Sequence, residues 1–206
     1  MRRPALIFDF GNVLAFFDYA RAFSNLGRQL GLSGEDFLTH ARAKGLDHLV
    51  RNYERGDLRS EEFSASVCRQ TGLVVSHAEF AAAWSDIFWL NAPVAELVLK
   101  LKAAGYTLVL GSNTNEIHSV RFREQFAREL ACFDRLVLSH EVGHSKPSRD
   151  FYLVCARAAG VKPFESVFID DLPENVEGAR AAGLAAVHYT DPEALVTGLR
   201  AFDVEI

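Results

Sequence analysis

The apolar positions divide the chain into a helical stretch and a stretch in which helices and strands alternate. Residues 5–8 form an unbroken apolar run, which is typical of a strand that is buried on both faces. Between residue 13 and about residue 90 the apolar residues recur at helical spacing, and we find no convincing strand there. From Pro93 onward, short apolar runs alternate with helical segments. This alternation predicts βαβ units in a parallel sheet.

The segments after Pro93 can be assigned individually. Strands are expected in YTLVLGSN, RLVLSHEVG, SVFIDD and LAAVHYT, and helices in VAELVLKLKAAG, NEIHSVRFREQFARE, SRDFYLVCARAAG and PENVEGARAAG. A final helix begins at Asp191, a typical N-cap, with Pro192 in its first turn. In the helical stretch, Ser76 and Glu79 have the spacing of a capping box.

The order of these elements predicts an α/β fold with an insertion. We expect a Rossmann-like parallel sheet with helices on both faces, and a helical cap inserted after the first strand. The core domain would comprise residues 1–16 and 91–206, and the cap residues 17–90. Because the insertion follows the first strand, it would lie beside that strand's carboxyl end and cover any site there.

Composition excludes several classes of function. The 206-residue chain has a net charge of −5 and no markedly basic stretch, so nucleic acid and anionic membranes are poor partners. No apolar run is long enough to span a membrane. The cysteines Cys68, Cys132 and Cys155 are few and lack CxxC spacing, which favours a reducing, cytoplasmic location and argues against disulfides or a zinc site. The sequence gives no indication of oligomeric state.

Polar residues follow the predicted strands and are therefore expected at one edge of the sheet. These residues are Asp9, Ser112, Asn113, Lys146, Asp170 and Asp171. Each one alone is an ordinary turn former or helix cap. Together, three carboxylates in one cleft repel each other unless cations intervene, and Lys146 and a Mg²⁺ ion could fill that need. A phosphate group satisfies the remaining donors, with Asp9 attacking phosphorus to form an aspartyl-phosphate.

Four segments resemble the motifs of the haloacid dehalogenase superfamily, whose members are mostly phosphatases. They read FDFGNVL, LGSNTN, SKPSRDFY and VFIDDLPENVEGA, and the resemblance covers nearly the full chain. The helical stretch stands where this superfamily carries its type 1 cap. Within the superfamily the chain is most similar to the bacterial α-D-glucose-1-phosphatase group, also in the cap segment YERGDLRSEEF.

This resemblance implies a role for each motif residue. Asp9 would be the nucleophile, with Lys146 and Ser112 as further catalytic residues. The phosphoryl group would be held by Ser112, Asn113, Lys146 and Asn12. Mg²⁺ would be held by Asp9, the carbonyl of Gly11, Asp170 and Asp171, the last either through water or by orienting Lys146. Asn175 would support the fourth motif.

Gly11 departs from the superfamily pattern. Most of its phosphatases carry an Asp two residues after the nucleophile, as general acid and base, and such a group contributes about 10²–10⁴-fold to rate. Three explanations remain open: a leaving group that needs little protonation, another donor, or an inefficient enzyme. Among other donors, His118 is best placed in the sequence, ahead of His144 and Glu141.

The function predicted from these residues is Mg²⁺-dependent hydrolysis of a small phosphorylated metabolite, such as glucose 1-phosphate. One alternative is a haloacid dehalogenase-type hydrolase, which needs no metal. Another is a non-catalytic phosphate-binding protein, which only Gly11 supports. A response-regulator receiver is disfavoured, because a receiver carries its acid pair at the first strand, whereas in this chain the acid pair comes after Lys146. Candidates for lining a cap pocket are Arg42, Lys44, Arg51, Tyr53, Trp84 and Trp89.

Overall fold

The computed structural model describes residues 3–206, which form a parallel sheet flanked by helices and a separate helical block. The strands are β1 (Ala5–Phe8), β2 (Ala15–Phe17), β3 (Phe88–Leu90), β4 (Leu108–Ser112), β5 (Arg135–Leu138), β6 (Ser166–Asp170) and β7 (Ala185–His188). The helices are α1 (Tyr19–Gly27), α2 (Gly34–Ala43), α3 (Leu46–Glu54), α4 (Ser60–Thr71), α5 (His77–Ser85), α6 (Ala92–Ala103), α7 (Glu116–Gln125), α8 (Ala127–Leu130), α9 (Ser139–Val142), α10 (Arg149–Ala158), α11 (Pro173–Ala181) and α12 (Pro192–Arg200).

The main sheet has five strands in the order β5-β4-β1-β6-β7, and all of its pairings are parallel. In the centre, Phe8 is opposite Leu110 of β4 and Ile169 of β6. The carboxyl ends of these three strands therefore meet at one edge, with Asp9 directly beyond β1 and Asp170 at the end of β6. The predicted α/β class with a parallel sheet is confirmed.

The first strand is apolar throughout because both of its faces are covered. Leu6 and Phe8 belong to one buried cluster, which includes Leu101 of α6 and Phe122 of α7. Ile7 points to the opposite face and belongs to a second cluster, with helices α10 and α11. Side chains alternate between the faces of a strand, so a strand covered on both faces has no polar position to spare.

The helical block α1–α5 is built on an apolar cluster distinct from those on the two faces of the sheet, and Ile117 of α7 also belongs to it. It is built around large aromatic side chains, and Phe80 stacks on Trp84 with ring centroids 5.7 Å apart. Tyr53 and Phe63 stack at 4.3 Å in the same cluster. Burial of such rings is a major source of stability, so the block is held together by its own packing. None of the helices in the described part of the chain combines the length and apolarity that crossing a membrane requires.

Two helix starts agree with the sequence in detail. Ser76 accepts from the backbone N–H of Glu79 and Glu79 accepts from that of Ser76, which completes the predicted capping box. At α12, the side chain of Asp191 accepts from the N–H of Ala194 at 2.7 Å. Both contacts satisfy N–H groups that the first turn of a helix leaves without partners.

Other predicted elements need correction. A strand pair was missed between residues 13 and 90: β2 and β3 form a two-stranded antiparallel ribbon, with Phe16 opposite Trp89. Strands of three residues are too short to show periodicity, so only their pairing reveals them. The strand expected in RLVLSHEVG stops at Leu138, where α9 begins, and the helix expected in NEIHSVRFREQFARE is interrupted at Phe126. The α3 helix was not singled out.

The junction between the ribbon and the core is fixed by a buried amide. Asn91 Nδ2 donates to the carbonyl of Val13 and to the hydroxyl of Tyr189, both at 2.8 Å. The backbone N–H of Asn91 donates to the carbonyl of Leu14 at 3.0 Å. The residues that precede β2 and those that follow β3 are thereby tied to each other and to the end of β7.

Replacing this amide should destabilise the fold. Asn91→Ala leaves the buried carbonyl of Val13 without its side-chain donor, and we expect a loss of about 1–3 kcal/mol in the free energy of unfolding. Urea denaturation measures it. The control is Asn25→Ala, which removes only an exposed hydrogen bond to Arg28 and should change stability by less than about 0.5 kcal/mol. Equal losses in the two variants would contradict the role given to Asn91.

Candidate active site

A buried ammonium group joins two buried carboxylates at the carboxyl edge of the sheet. Lys146 Nζ lies 2.7 Å from Asp9 Oδ1 and 2.7 Å from Asp170 Oδ2. The side chains of Lys146 and Asp170 are 2% and 0% exposed. Withdrawing three charges from water costs several kcal/mol per ion, which ion pairing repays only in part. An arrangement of this kind is therefore more readily explained by chemistry than by stability.

Strand pairing and a side-chain clamp hold these three groups in place. The backbone N–H of Asp9 donates to the carbonyl of Ile169 at 2.9 Å, so the pairing of β1 with β6 continues up to the first carboxylate. Lys146 lies in a loop that is fixed by Asn113. Asn113 Nδ2 donates to the carbonyl of Lys146 at 3.0 Å, and the N–H of Lys146 donates to Asn113 Oδ1 at 2.8 Å.

The carboxylate of Asp170 is held by three donors. Its Oδ1 accepts from the N–H of Leu172 and from Asn175 Nδ2, both at 2.9 Å, and its Oδ2 accepts from Lys146. A carboxylate offers about four lone-pair sites, so room for one further ligand remains. Asn175 thus contacts Asp170, another residue of the fourth motif.

Asp171 is oriented by a strained residue from the first motif. Asn12 Nδ2 donates to Asp171 Oδ2 at 3.0 Å. Asn12 has φ = 54°, in the left-handed region that asparagine tolerates better than most residues. Asn12 and Asn113 both lie at the site, but the contacts of their side chains are with Asp171 and Lys146.

The three acids form a cluster that suits a hard cation. Asp9, Asp170 and Asp171 each offer one oxygen, and these oxygens lie within 4.8 Å of one another. Asp9 Oδ1 accepts from Lys146 and from the N–H of Phe10, whereas Oδ2 accepts no hydrogen bond within residues 3–206. Carboxylate oxygens are the ligands that Mg²⁺ prefers, so the donor set fits this ion.

Burial determines the electrostatics of the cluster. It raises the pKa of Asp9 to about 7, and the ammonium of Lys146 offsets only part of the increase. Burial alone would lower the pKa of Lys146, but the charges of Asp9 and Asp170 raise it, so this side chain stays protonated. Burial also raises the pKa of Asp171. A bound divalent cation would favour the charged form of each acid.

The limited space at position 11 favours glycine. A Cβ atom added at this position would lie 2.8 Å from Cε1 of Phe17, closer than any real Cβ contact. Gly11 is not among the glycines with positive φ, so backbone conformation is not the reason. Phe17 belongs to the ribbon strand β2, which sequence reasoning missed. The absence of an acid at position 11 thus coincides with an aromatic ring packed against the same backbone.

Ser112 ends β4 and is buried, as the motif predicts. Its hydroxyl lies 3.3 Å from the carbonyl of Asn113, at the long end of hydrogen-bond distances. A serine hydroxyl rotates freely to suit a partner, so it could donate to an anion bound at the strand ends.

His118, the donor that is best placed in the sequence, has both ring nitrogens engaged inside the protein. His118 Nε2 donates to the carbonyl of Trp84 at 3.2 Å, and Nδ1 accepts from Asn115 Nδ2 at 3.0 Å. The ring is buried and stacks on the indole of Trp84 at 5.8 Å. Burial lowers its pKa to about 4, so it is neutral at pH 7. The weaker candidates, His144 and Glu141, are exposed, and Glu141 pairs with Arg123.

Of the six residues proposed to line a cap pocket, three lie at one cavity and three do not. Arg42, Arg51 and Trp84 line a cavity of about 370 Å³. Tyr53 instead binds the core, because its hydroxyl accepts from the N–H of Ile117 at 2.9 Å. Two side chains lie outside the cavity: Lys44, which is exposed, and Trp89, which packs against Phe16. Seven further residues line the cavity without having been proposed for it from the sequence: Tyr19, Phe23, Leu38, Leu46, Asp47, Val50 and Glu54.

Comparison with known proteins agrees with this geometry. Residues 4–183 match the family model of the haloacid dehalogenase-like hydrolases. D-ribitol-5-phosphate phosphatase of Bacteroides thetaiotaomicron is 27% identical over 184 residues, which are 86% of this chain and 87% of that protein.

Solved structures show the same fold. A haloacid dehalogenase (HAD) family enzyme of Bacteroides thetaiotaomicron, in complex with magnesium and inorganic phosphate, is 26% identical with a TM-score of 0.77, over 92% of this chain and 95% of that one. L-2-haloacid dehalogenase of Xanthobacter autotrophicus, 20% identical over 97% of this chain and 83% of that one, has a TM-score of 0.65 and shares the fold alone. With its family match, its parallel sheet and its buried acid–lysine cluster, the chain belongs to the haloacid dehalogenase-like hydrolases.

Proposed function

We propose that this hydrolase is a Mg²⁺-dependent phosphatase that acts through an aspartyl-phosphate on Asp9. The observation that carries the proposal is the Lys146 ammonium held between Asp9 and Asp170, with Asp171 completing a cluster of acids. A cation and a cluster of oxygen ligands at one sheet edge are what a phosphoryl group and its metal require. The relative solved with magnesium and inorganic phosphate supports the same reaction.

The nucleophile would be the oxygen of Asp9 that Lys146 leaves free. Asp9 Oδ2 attacks phosphorus, the bond from phosphorus to the leaving oxygen breaks, and water then hydrolyses the aspartyl-phosphate. Lys146 stabilises the negative charge of the phosphoryl oxygens. Mg²⁺, held by Asp9, Asp170, Asp171 and the carbonyl of Gly11, would supply further neutralisation of that charge.

The other polar residues would fall into two groups. Ser112 would donate to the phosphoryl group, because its hydroxyl is buried at the end of β4 and free to turn. Asn113 would act mainly by fixing Lys146, and Asn12 by orienting Asp171, since their amide groups make those contacts. Each would then be a positioning residue in addition to any contact with substrate.

Residues 17–90 would act as a cap over this site, with residues 1–16 and 91–206 as the core domain. The separate apolar cluster of α1–α5 supports the division, as does the ribbon that connects the two parts. The substrate would be a small phosphorylated metabolite, because the cap presents a cavity with aromatic and charged walls.

The substrate class that we propose is a sugar phosphate, with glucose 1-phosphate as the specific candidate. Its anomeric oxygen leaves more readily than that of an ordinary alcohol, because the ring oxygen withdraws electrons from it. That property reduces the demand on a proton donor in a site where position 11 carries none. The relative that acts on D-ribitol 5-phosphate supports a sugar-like leaving group.

Asp9→Asn should abolish phosphatase activity without unfolding the protein. Asparagine keeps the shape but is not a nucleophile, so kcat on 4-nitrophenyl phosphate with Mg²⁺ should fall at least about 10³-fold. Removing Mg²⁺ with EDTA should have a comparable effect on the wild type. The matched control is Asp150→Asn, a change at an exposed residue of α10, which should retain activity.

Each rival reading has its own result in this experiment. Full activity of Asp9→Asn would refute the covalent mechanism. Undiminished activity in EDTA, together with turnover of a 2-haloacid, would favour the dehalogenase reading. A wild type that binds phosphate but turns over no phosphate ester would favour the binding protein.

Gly11 and Phe17 should be energetically coupled. Gly11→Asp forces a side chain into the ring of Phe17, and overpacking of this kind costs about 1–3 kcal/mol of stability. In the double variant Gly11→Asp/Phe17→Ala the added side chain has room, so its cost should disappear. A double-mutant cycle by urea denaturation measures the coupling. Additive losses would show that Phe17 is not what excludes a side chain at position 11.

A further inference from the structure

Glu54 ends α3, and its backbone contacts the core domain at the carboxyl edge of the sheet. The carbonyl of Glu54 accepts from Ser139 Oγ at 2.6 Å. The same hydroxyl lies 2.9 Å from both the N–H and the carbonyl of Thr114, two residues beyond Ser112. The end of a cap helix is therefore fastened to the loops that follow β4 and β5, whose neighbour β1 leads to Asp9.

The turn after Glu54 is also packed on the core. Gly56 has φ = 81°, and a Cβ atom there would lie 2.3 Å from the carbonyl oxygen of His140 in α9. Only glycine allows this conformation and this close approach. The hydrogen bond at the carbonyl of Glu54 and the close packing of Gly56 therefore both fix the end of α3 against the core domain.

The side chain of Glu54 lines the 370 Å³ cavity inside the cap. This volume lies within the usual range for pockets that bind small molecules. Its walls combine aromatic and charged residues from several helices: Tyr19, Phe23, Leu38, Arg42, Leu46, Asp47, Val50, Arg51, Glu54 and Trp84. A sugar-like group suits such walls, because its hydroxyls need polar partners and its carbon face packs on aromatic rings.

Two polar groups at this cavity have no partner. The carboxyl group of Glu54, which is only partly buried, makes no hydrogen bond or ion pair within residues 3–206. The indole Nε1 of Trp84 is fully buried without an acceptor among those residues. Nearly all buried polar groups in folded proteins are hydrogen-bonded, so the unpaired donor of Trp84, beside a carboxyl group without a partner at the same cavity, indicates a ligand.

The cavity adjoins the place where an acid is missing. The ring of Phe17 packs against Gly11, and its centroid lies 5.5 Å from that of Tyr19, which lines the cavity. One aromatic ring therefore separates position 11 from Tyr19, the near wall of the cavity.

Glu54 has the acidity that proton transfer at neutral pH requires. Burial raises its pKa to about 7, so both protonation states are populated near that pH. The titratable and charged groups that line the same cavity are Tyr19 of α1, Arg42 of α2, and Asp47 and Arg51 of α3, and Arg42 pairs with Asp47. The pKa of Tyr19 is raised by burial and, to a smaller extent, by the charge of Glu54.

On the basis of the phosphatase activity proposed above, we propose that Glu54 is the general acid and base that replaces the residue missing at position 11. While Asp9 Oδ2 bonds to phosphorus and the bond to the leaving oxygen breaks, the carboxylic acid of Glu54 passes its proton to that oxygen, and the alcohol departs. Its carboxylate then takes a proton from the water that attacks phosphorus. The bond from phosphorus to Asp9 breaks, and phosphate, Asp9 carboxylate and Glu54 acid result.

The test compares two substrates in Glu54→Gln, which keeps the size of the side chain but carries no transferable proton. On glucose 1-phosphate, kcat should fall by about 10²–10⁴-fold. On 4-nitrophenyl phosphate, whose phenolate departs without protonation, the loss should be at least about tenfold smaller, because only the second step needs Glu54. In the wild type, kcat on glucose 1-phosphate should decline as the pH rises through about 7, and this decline should be absent from the variant.

Controls separate this proposal from the phosphatase activity on which it rests. Glu35→Gln, an exposed change of the same chemistry on α2, should leave the ratio of the two substrates unchanged. If the wild type hydrolyses neither substrate, the proposed function fails. If the wild type hydrolyses both and Glu54→Gln lowers both equally, or changes only KM, the proton-transfer role is overturned.

Stability gives an independent readout of the unpaired carboxylate. A pKa raised by folding means that the ionised form destabilises the folded state, and this penalty grows as the pH rises from the unfolded pKa through about 7. Glu54→Gln should therefore raise the Tm relative to the wild type at pH 8, and the gain should vanish at pH 4. A lower Tm at pH 8 would show that the carboxylate has a partner in the protein and would overturn the proposal.

Discussion

The ammonium group of Lys146 is the feature on which the site depends, because it allows two buried carboxylates to lie close together. Without a positive charge 2.7 Å from each, Asp9 and Asp170 would repel one another at the ends of two fully buried strands, β1 and β6. With it, the acids have one cation and, together with Asp171, the oxygen ligands for a second. The same arrangement leaves one oxygen of Asp9 without a hydrogen bond from any of residues 3–206, as a nucleophile requires.

The fold supports this charge arrangement at several levels. The strand order places β1 between β4 and β6. The residues at the carboxyl ends of these three central strands are therefore brought together by the sheet itself. Asn113 then fixes the backbone of Lys146 by two hydrogen bonds, and Asn175 fixes Asp170. The register of the strands sets the approximate positions of the charged groups, and the hydrogen bonds of the two amide side chains then fix them. Rigid elements position reactive groups in this way.

Sequence analysis identified what is encoded locally and missed what depends on contacts between distant segments. Asp9, Lys146 and Asp170 could be predicted because each follows a buried run, and parallel strands share an edge. The packing of Phe17 against Gly11 could not, because three-residue strands have no measurable periodicity. The position of His118 in the sequence made it a candidate proton donor, and only the fold shows that both ring nitrogens are bonded. Glu54 lies in the cap segment YERGDLRSEEF, but its environment depends on tertiary packing, so the sequence did not single it out.

The measurement that tests the central claim most directly is the isolation of the covalent intermediate. The protein is mixed with Mg²⁺ and 4-nitrophenyl phosphate, quenched in acid during turnover, digested, and its peptides are analysed by mass spectrometry. We expect the mass of one phosphoryl group on Asp9 in the wild type, and none in Asp9→Asn. A wild type that turns over substrate while this peptide stays unmodified, or that carries the group on another residue, would contradict the account given for Lys146 and its two carboxylates.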